Sequence, residues 1–246
     1  MERKRFLRTF AVAAAAGPML IEACKKDSAS GTTDSTSTST TSTNGSTCTV
    51  TPTETEGPYP YVGGEITNPL NRANVTDGQT GVPLSVNFLV VNTNNNCNVV
   101  TGARVDIWHC NKDGYYSGYG NQPGLLGTKS YLGETWLRGY LVTDSAGLAK
   151  FTTIYPGWYG GRATHIHMEV FVNNVLKKVS QLTFSEAISD VVHVSSLYAS
   201  HGVNPTRNAS DSVFGDSTTD LANETLALTG SVSEGYSGTF TLGIAL

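Results

Sequence analysis

The feature that most limits how this chain folds is a recurrence of short runs rich in β-branched and aromatic residues, each closed by turn chemistry. Segments 85–92 (SVNFLVVN) and 103–109 (ARVDIWH) are of this kind, bounded by Gly81-Val82-Pro83 and by the Asn-rich run 92–98. The series continues through 136–143, 148–153, 164–172 and 175–184, with Asp144-Ser145-Ala146-Gly147 and Asn173-Asn174 as turns, and its last member falls at 236–245. Only 186–199 carries a helical period, through Ile188, Val191, Val192 and Leu197, and its Val and Ser content makes even that segment a weak helix former. No internal repeat is visible. The expected fold is all-β: an antiparallel β-sandwich core with long loops and one short helix.

The first part of the chain does not belong to that body. Residues 1–23 read as an export signal, with Arg3, Lys4, Arg5 and Arg8 ahead of an apolar stretch at 10–21 that is too short to span a bilayer comfortably. Ile21-Glu22-Ala23-Cys24 resembles a bacterial lipobox, in which cleavage makes a lipidated cysteine the new N-terminus; Glu22 is an unusual occupant of that box. Arg3-Lys4-Arg5-Phe6-Leu7-Arg8 resembles a twin-arginine signal with Lys4 in place of the second arginine, and a general secretory start is equally basic, so both export routes stay open. Residues 27–47 are almost wholly Ser, Thr, Gly, Asp and Asn and lack the apolar surface to offset ordering entropy, so 24–47 is expected to be a lipidated cysteine followed by a flexible tether. The folded domain is then 48–246, placed outside the bacterial cytoplasm on a lipid anchor, facing the periplasm or the cell exterior.

Charged residues are 15% of the 246 and the net charge is −4. That leaves no basic field for a nucleic-acid backbone, and no membrane contact is expected beyond the anchor. Cys48, Cys97 and Cys110 remain in a compartment that permits disulfides, so one pair and one free thiol are expected. Of the three pairings Cys48 with Cys97 is favoured, since Cys110 ends a strand whose neighbours carry the candidate chemistry. No C-x-x-C spacing points to structural zinc.

In Thr164-His165-Ile166-His167-Met168, strand alternation sends both imidazoles to one face and Ile166 and Met168 to the other. Neutral imidazoles so placed form half of a metal site, although a lone pair of this kind is more often hydrogen-bonded or exposed. Just upstream, Tyr155-Pro156-Gly157-Trp158-Tyr159-Gly160-Gly161-Arg162 is a turn that delivers Tyr159 and Arg162 to the start of the strand. Earlier, Ile107-Trp108-His109-Cys110-Asn111-Lys112-Asp113-Gly114-Tyr115-Tyr116-Ser117 is a strand running into a turn and a tyrosine pair.

Together these segments resemble the intradiol ring-cleavage dioxygenases, the family of protocatechuate and catechol dioxygenases. Arg138-Gly139-Tyr140, Phe151-Thr152-Thr153-Ile154-Tyr155-Pro156-Gly157, Arg162-Ala163-Thr164-His165-Ile166-His167 and Gln181-Leu182 share in the match, and Thr53-Glu54-Thr55-Glu56-Gly57-Pro58-Tyr59 resembles the family's Gly-Pro-Tyr element. The resemblance implies a non-haem Fe(III) ion held by Tyr116, Tyr159, His165 and His167. Tyr115 is the alternative to Tyr116, which is preferred for its distance from Trp108 and for the Ser117 that follows it. The substrate implied is a small aromatic diol that chelates the iron as a dianion, with Tyr159 leaving the metal and taking up a phenolic proton; reaction with O2 then opens the ring to a muconate-type diacid. Arg162 would stabilise charge developing on the ring, Gln181 would orient the reacting species, and Tyr59 and Trp158 would line the pocket.

Phenol ionises near pH 10, so tyrosinate at neutral pH needs a strong positive charge beside it, and hard phenolate oxygen favours the ferric state. Glu169, on the same face as His167, reads as supporting or structural, and Trp108, His109 and His193 as packing or hydrogen-bonding residues. Only five residues separate Tyr159 from His165, fewer than in some relatives, which implies a shallower pocket. Two rival readings remain: an exported β-sandwich binding lipoprotein using Trp136, Trp158 and Tyr119 as exposed aromatics, and a copper protein using His165 and His167 alone. A homo-oligomer is compatible with all three.

Overall fold

Alternation along Pro83–Asn92 (β1) buries Leu84, Val86, Phe88 and Val90 on one face, as the period-2 pattern requires. The computed structural model describes residues 48–62, 64 and 70–246; the export signal, Cys24 and the tether lie outside the described residues. The further strands are Asn98–Val99 (β2), Arg104–Trp108 (β3), Arg138–Val142 (β4), Leu148–Ile154 (β5), His165–Val172 (β6), Val175–Phe184 (β7), Thr225–Leu226 (β8), Thr229–Ser231 (β9) and Gly235–Ile244 (β10). Helices are short: Glu186–His193 (α1) and Thr218–Glu224 (α2), with a 3-10 turn at Asn208–Ser210.

The strands form two five-stranded sheets. One has the order β2-β1-β10-β9 with β5 also paired to β1, and the other runs β4-β3-β6-β7-β8. Their inner faces share one core, built from Phe88, Phe151, Phe240 and Leu242 on the first sheet and Val105, Ile107, Ile166, Met168 and Leu182 on the second. Each such buried side chain contributes on the order of 1.5–3 kcal/mol. The all-β sandwich is as the sequence implies, with two differences. The sheets are mixed, because β1 pairs β10 in parallel and β7 pairs β8 in parallel. A second helix, α2, occupies a segment whose Thr218-Thr219-Asp220 start is a poor helix former; it is nucleated by the Ser217 side chain, which accepts from the Asp220 N–H at 3.2 Å.

Cys48 and Cys97 are disulfide-bonded across 49 positions and Cys110 is free and buried. Closing a loop of that length restrains the unfolded chain by about 4 kcal/mol in the chain-entropy account.

At the end of α2, Glu224 is fully buried. Burial first, then the neighbouring acids Glu54, Asp216 and Asp220, push its carboxyl from the ordinary value near 4.5 up to about 8. Between those values the folded state holds a proton that the unfolded state has released, so this group costs stability increasingly as pH rises through the window. Glu224→Gln is therefore expected to melt close to the parent at pH 5 and to be more stable than it by about 1–3 kcal/mol at pH 8. Paired thermal melts check this, and a difference that does not grow with pH contradicts it.

Candidate active site

The outer face of the second sheet carries a row of side chains fixed by register. Arg138 on β4 lies opposite Trp108 on β3, Trp108 opposite His167 on β6, and His167 opposite Gln181 on β7. Residues directly opposite one another project to the same face. Trp108 stacks on His167 with centroids 4.9 Å apart and planes within 3°, which sets the plane of that imidazole. His165, two positions earlier, shares the face, while Ile166 and Met168 enter the core between the sheets.

Two loops bring the tyrosines to this row. In the turn after β3, the Asn111 Oδ1 accepts from the N–H groups of Asp113 and Tyr115 at 3.1 and 3.0 Å. In the turn after β5, the Gly157 N–H donates to the Asn111 carbonyl at 3.1 Å. Gly114, at φ +84°, lies so close to the Trp158 carbonyl that any Cβ would collide with it. The two turns thus meet backbone to backbone, and the rings of Tyr116 and Tyr159 stand 5.8 Å apart at 72°.

Four donor atoms converge. His165 Nε2 is 3.1 Å from His167 Nε2, 3.3 Å from the Tyr116 hydroxyl and 3.4 Å from the Tyr159 hydroxyl. The His165 Nδ1 lies 2.6 Å from the Ala163 carbonyl, which only accepts, so Nδ1 carries the hydrogen and Nε2 presents its lone pair to the group. Ligands held about 2 Å from one ion stand about 3 Å from each other, which is the spacing found here.

Electrostatics favour the same use. Burial, reinforced by Arg162, holds His165 neutral down to about 3, and burial with the neighbouring His165 holds His167 well below the ordinary range. Burial pushes the Tyr159 phenol up to about 12 against the pull of Arg162, and Tyr116 well above the usual value. A bound cation reverses both phenol shifts by stabilising the phenolates. Among the described residues no three His, Cys, Asp or Glu side chains are grouped to hold a metal, so a metal ion at this place draws on tyrosine oxygen.

The sequence pattern of the family described as Dioxygenase matches residues 55–202, more than half of the chain. The intradiol ring-cleavage dioxygenase from Tetranychus urticae is 29% identical over 80% of this chain and 95% of its own, with a TM-score of 0.70. This chain belongs to the intradiol ring-cleavage dioxygenase family. The same fold recurs in the dioxygenase domain of a dioxygenase carbohydrate-binding protein fusion from Streptomyces sp. SirexAA-E, at 24% identity and TM-score 0.58 over 80% of this chain and 99% of that one. It recurs again in hydroxyquinol 1,2-dioxygenase from Pseudomonas putida DLL-E4, at 18% identity and TM-score 0.55 over 80% and 66%. Cleavage of a catechol-type ring is the activity that this family and fold support, and its members use non-haem iron.

The remaining intradiol-type positions fall as follows. Tyr59 stacks on Tyr116 at 4.7 Å and meets Tyr159 edge-on at 6.1 Å, so it forms a wall of the cluster. The Arg162 Nη2 donates to the Gln181 Oε1 at 2.6 Å, and the Gln181 Nε2 to the Thr55 carbonyl at 2.8 Å. Trp158 is committed elsewhere: its ring lies 4.1 Å from that of His201 and its Nε1 donates to the Gly202 carbonyl at 2.8 Å. The Tyr115 hydroxyl donates to the Gly127 carbonyl at 2.6 Å, so of the tyrosine pair it is Tyr116 that reaches the histidines. His109 bonds Thr153 and the Cys110 carbonyl, His193 lies 3.4 Å from the Pro156 carbonyl, and Glu169 is buried beside Asp106 on β3. Trp136 and Trp158 are buried, and the half-buried Tyr119 donates its hydroxyl to the Pro60 carbonyl at 2.7 Å, so none of the three stands free as the exposed aromatic of a binding module. A concavity of about 520 Å³ lies between the Cys48–Cys97 bridge and β8; no acid, base or histidine lines it, so its size does not make it the reacting centre.

Sequence reasoning missed the role of Gly57. Its φ is +71°, and a Cβ there would stand 2.8 Å from the His167 Cε1, on a ring already stacked against Trp108. Gly57→Ala is expected to lose about 1–2 kcal/mol of stability and to weaken metal retention about 10-fold or more, because His167 must turn. Chelator competition beside a thermal melt measures both, and a retention within twofold of the parent contradicts the close-approach role.

Proposed function

We propose that this chain holds Fe(III) through Tyr116, Tyr159, His165 and His167 and uses O2 to cleave a catechol between its two hydroxyl-bearing carbons, yielding a muconate-type diacid with both oxygen atoms in the product. The observation that carries this is the convergence of two phenol oxygens and the neutral His167 Nε2 within 3.1–3.4 Å of the His165 Nε2. Ferric iron held by these residues would chelate the diol as its dianion and so activate the electron-rich ring toward O2.

The chain's own residues divide the remaining work. Tyr116 is fully buried and clamped between Tyr59 and the histidines, which suits a permanent ligand. Tyr159 is half-buried on a turn, which suits a ligand that would yield its place to the diol and take up a substrate proton on its phenolate oxygen. Arg162, beside the Tyr159 phenol, presents a fixed cation where the ring gains negative character. Gln181 holds that cation from the sheet side, and Tyr59 walls the ring. Trp158 acts through the turn it anchors, its side chain being engaged with His201 and Gly202.

The same proposal places the enzyme outside the cytoplasm on a lipidated Cys24. The Cys48–Cys97 disulfide supports an oxidising compartment, and among the described residues no helix is long and apolar enough to cross a membrane. The test is product analysis: the iron-loaded protein, given catechol under labelled O2, is expected to consume one O2 per catechol and form a diacid carrying both labelled atoms. A stoichiometric quinone without ring opening overturns the reading.

A further inference from the structure

We infer that Asp211 is a positioning residue for ring cleavage, holding the Arg162 guanidinium and the His165 imidazole in one frame. The inference rests on the functional reading above and goes beyond it, since Asp211 lies outside the 55–202 span that matches the family. Asp211 follows the 3-10 turn Asn208–Ser210, and its side chain is fully buried.

Each carboxylate oxygen takes two N–H donors. Oδ1 accepts from the backbone of Val213 at 2.8 Å and Phe214 at 3.2 Å, closing the local turn. Oδ2 accepts from the Arg162 Nε at 2.9 Å and from the Ala163 N–H at 2.6 Å. Those four bonds use the about four acceptor sites of a carboxylate. The two partners on Oδ2 are consecutive residues, and they lead to different parts of the chemistry. Arg162 is the cation, with its Nη2 fixed on the other side by Gln181. Ala163 offers its carbonyl to the His165 Nδ1 at 2.6 Å, so the residue whose N–H Asp211 holds is the one whose carbonyl orients the imidazole.

Phe214 completes the support. Its ring centroid lies 5.8 Å from the Arg162 guanidinium carbon and 6.4 Å from the His165 ring, so residues 211–214 brace both groups. The Arg162 side chain is only 11% exposed, and Asp211 provides its buried counter-charge.

An asparagine cannot do the same: with its carbonyl kept on Val213 and Phe214, its amide hydrogens would face the N–H groups of Arg162 and Ala163. Asp211→Asn is expected to lower kcat about 10–100-fold while KM stays within about threefold, because the cation serves charge that develops after substrate is bound. It is also expected to release iron to a chelator about 10-fold faster through the loosened His165. In the Arg162→Met background the same change should lower kcat per bound iron by less than about threefold further, since with iron loss accounted for both substitutions remove the same cation.

Asp211→Asn with kcat and iron release within twofold of the parent overturns the proposal, as does a loss that multiplies with that of Arg162→Met, which marks a role unrelated to the cation. If the variant does not fold, Arg162→Lys decides. It keeps the charge without the fork, so a loss of about 10-fold or more supports the fixed orientation and activity within threefold overturns it. A parent protein that takes up no iron and opens no ring sinks the functional reading and this role with it; an active parent with an indifferent Asp211→Asn sinks this role alone.

Discussion

His165→Ala is expected to leave a folded protein that retains less than about a tenth of the parent's iron and cleaves catechol at least about 10³-fold more slowly. The size follows from the position of its Nε2, which lies within 3.1–3.4 Å of the other three donor atoms, so its loss removes the centre of the group rather than an edge. The imidazole contributes little to packing between the sheets, because Ile166 and Met168 carry that load on the opposite face of β6. Thermal stability of the iron-free protein should therefore fall far less than activity. Tyr116→Phe and Tyr115→Phe make the paired control: the first should lose or shift the tyrosinate absorption, whereas the second deletes only the bond to the Gly127 carbonyl and should keep activity within about threefold. Iron content by elemental analysis and initial rates check all three. A coloured, iron-replete His165→Ala would contradict the assignment.

Arg138→Leu should produce the largest loss of stability, about 3–5 kcal/mol, or a melting temperature lower by about 10 °C. Arg138 is buried, yet its guanidinium donates to the Ser117 Oγ, to the Ser117 carbonyl and to the carbonyls of Tyr59 and Pro60, all at 2.9–3.0 Å. It also lies 5.6 Å from the Tyr61 and Tyr119 ring centroids and 5.8 Å from that of Tyr116. One side chain therefore ties the segment carrying Tyr59 to the loop carrying Tyr116, and its removal strands several buried acceptors at once. Arg138→Lys should recover little, because an ammonium cannot span the same fork of acceptors. Denaturant melts measure the effect; a loss below about 1 kcal/mol would show that the two segments are held by other contacts.

Much of the fold was legible because its strands are amphipathic or fully buried with clear punctuation. The seven runs read from β-branched content and turn chemistry each correspond to a strand, and Asn173-Asn174 forms the left-handed turn between β6 and β7, with φ of +51° and +60°. What escaped has identifiable causes. The parallel pairing of β1 with β10 joins segments more than 140 residues apart, and no local pattern encodes such a partner. Strands β2, β8 and β9 are two or three residues long, below the length at which alternation can register. Helix α2 depends on a cap, not on propensity.

At the site, strand alternation put His165 and His167 on one face, and family resemblance supplied the tyrosines and Arg162. Asp211, Gly57 and the stacking of Trp108 on His167 were not legible, because each acts through tertiary proximity: a lone Asp in a polar loop, a Gly in a Gly-Pro pair and a strand Trp all have ordinary local explanations. The Gly57 signal was half present in the Gly-Pro-Tyr element, which marked the segment without saying what the glycine approaches.

The most direct test of the central claim is a visible absorption spectrum of the purified 48–246 domain, read beside its iron content, before and after anaerobic addition of catechol. The expected result is a red-brown protein with about one iron per chain, whose tyrosinate-to-iron band moves to longer wavelength when the diol binds. A protein that stays colourless and iron-free after reconstitution with ferric iron would contradict it.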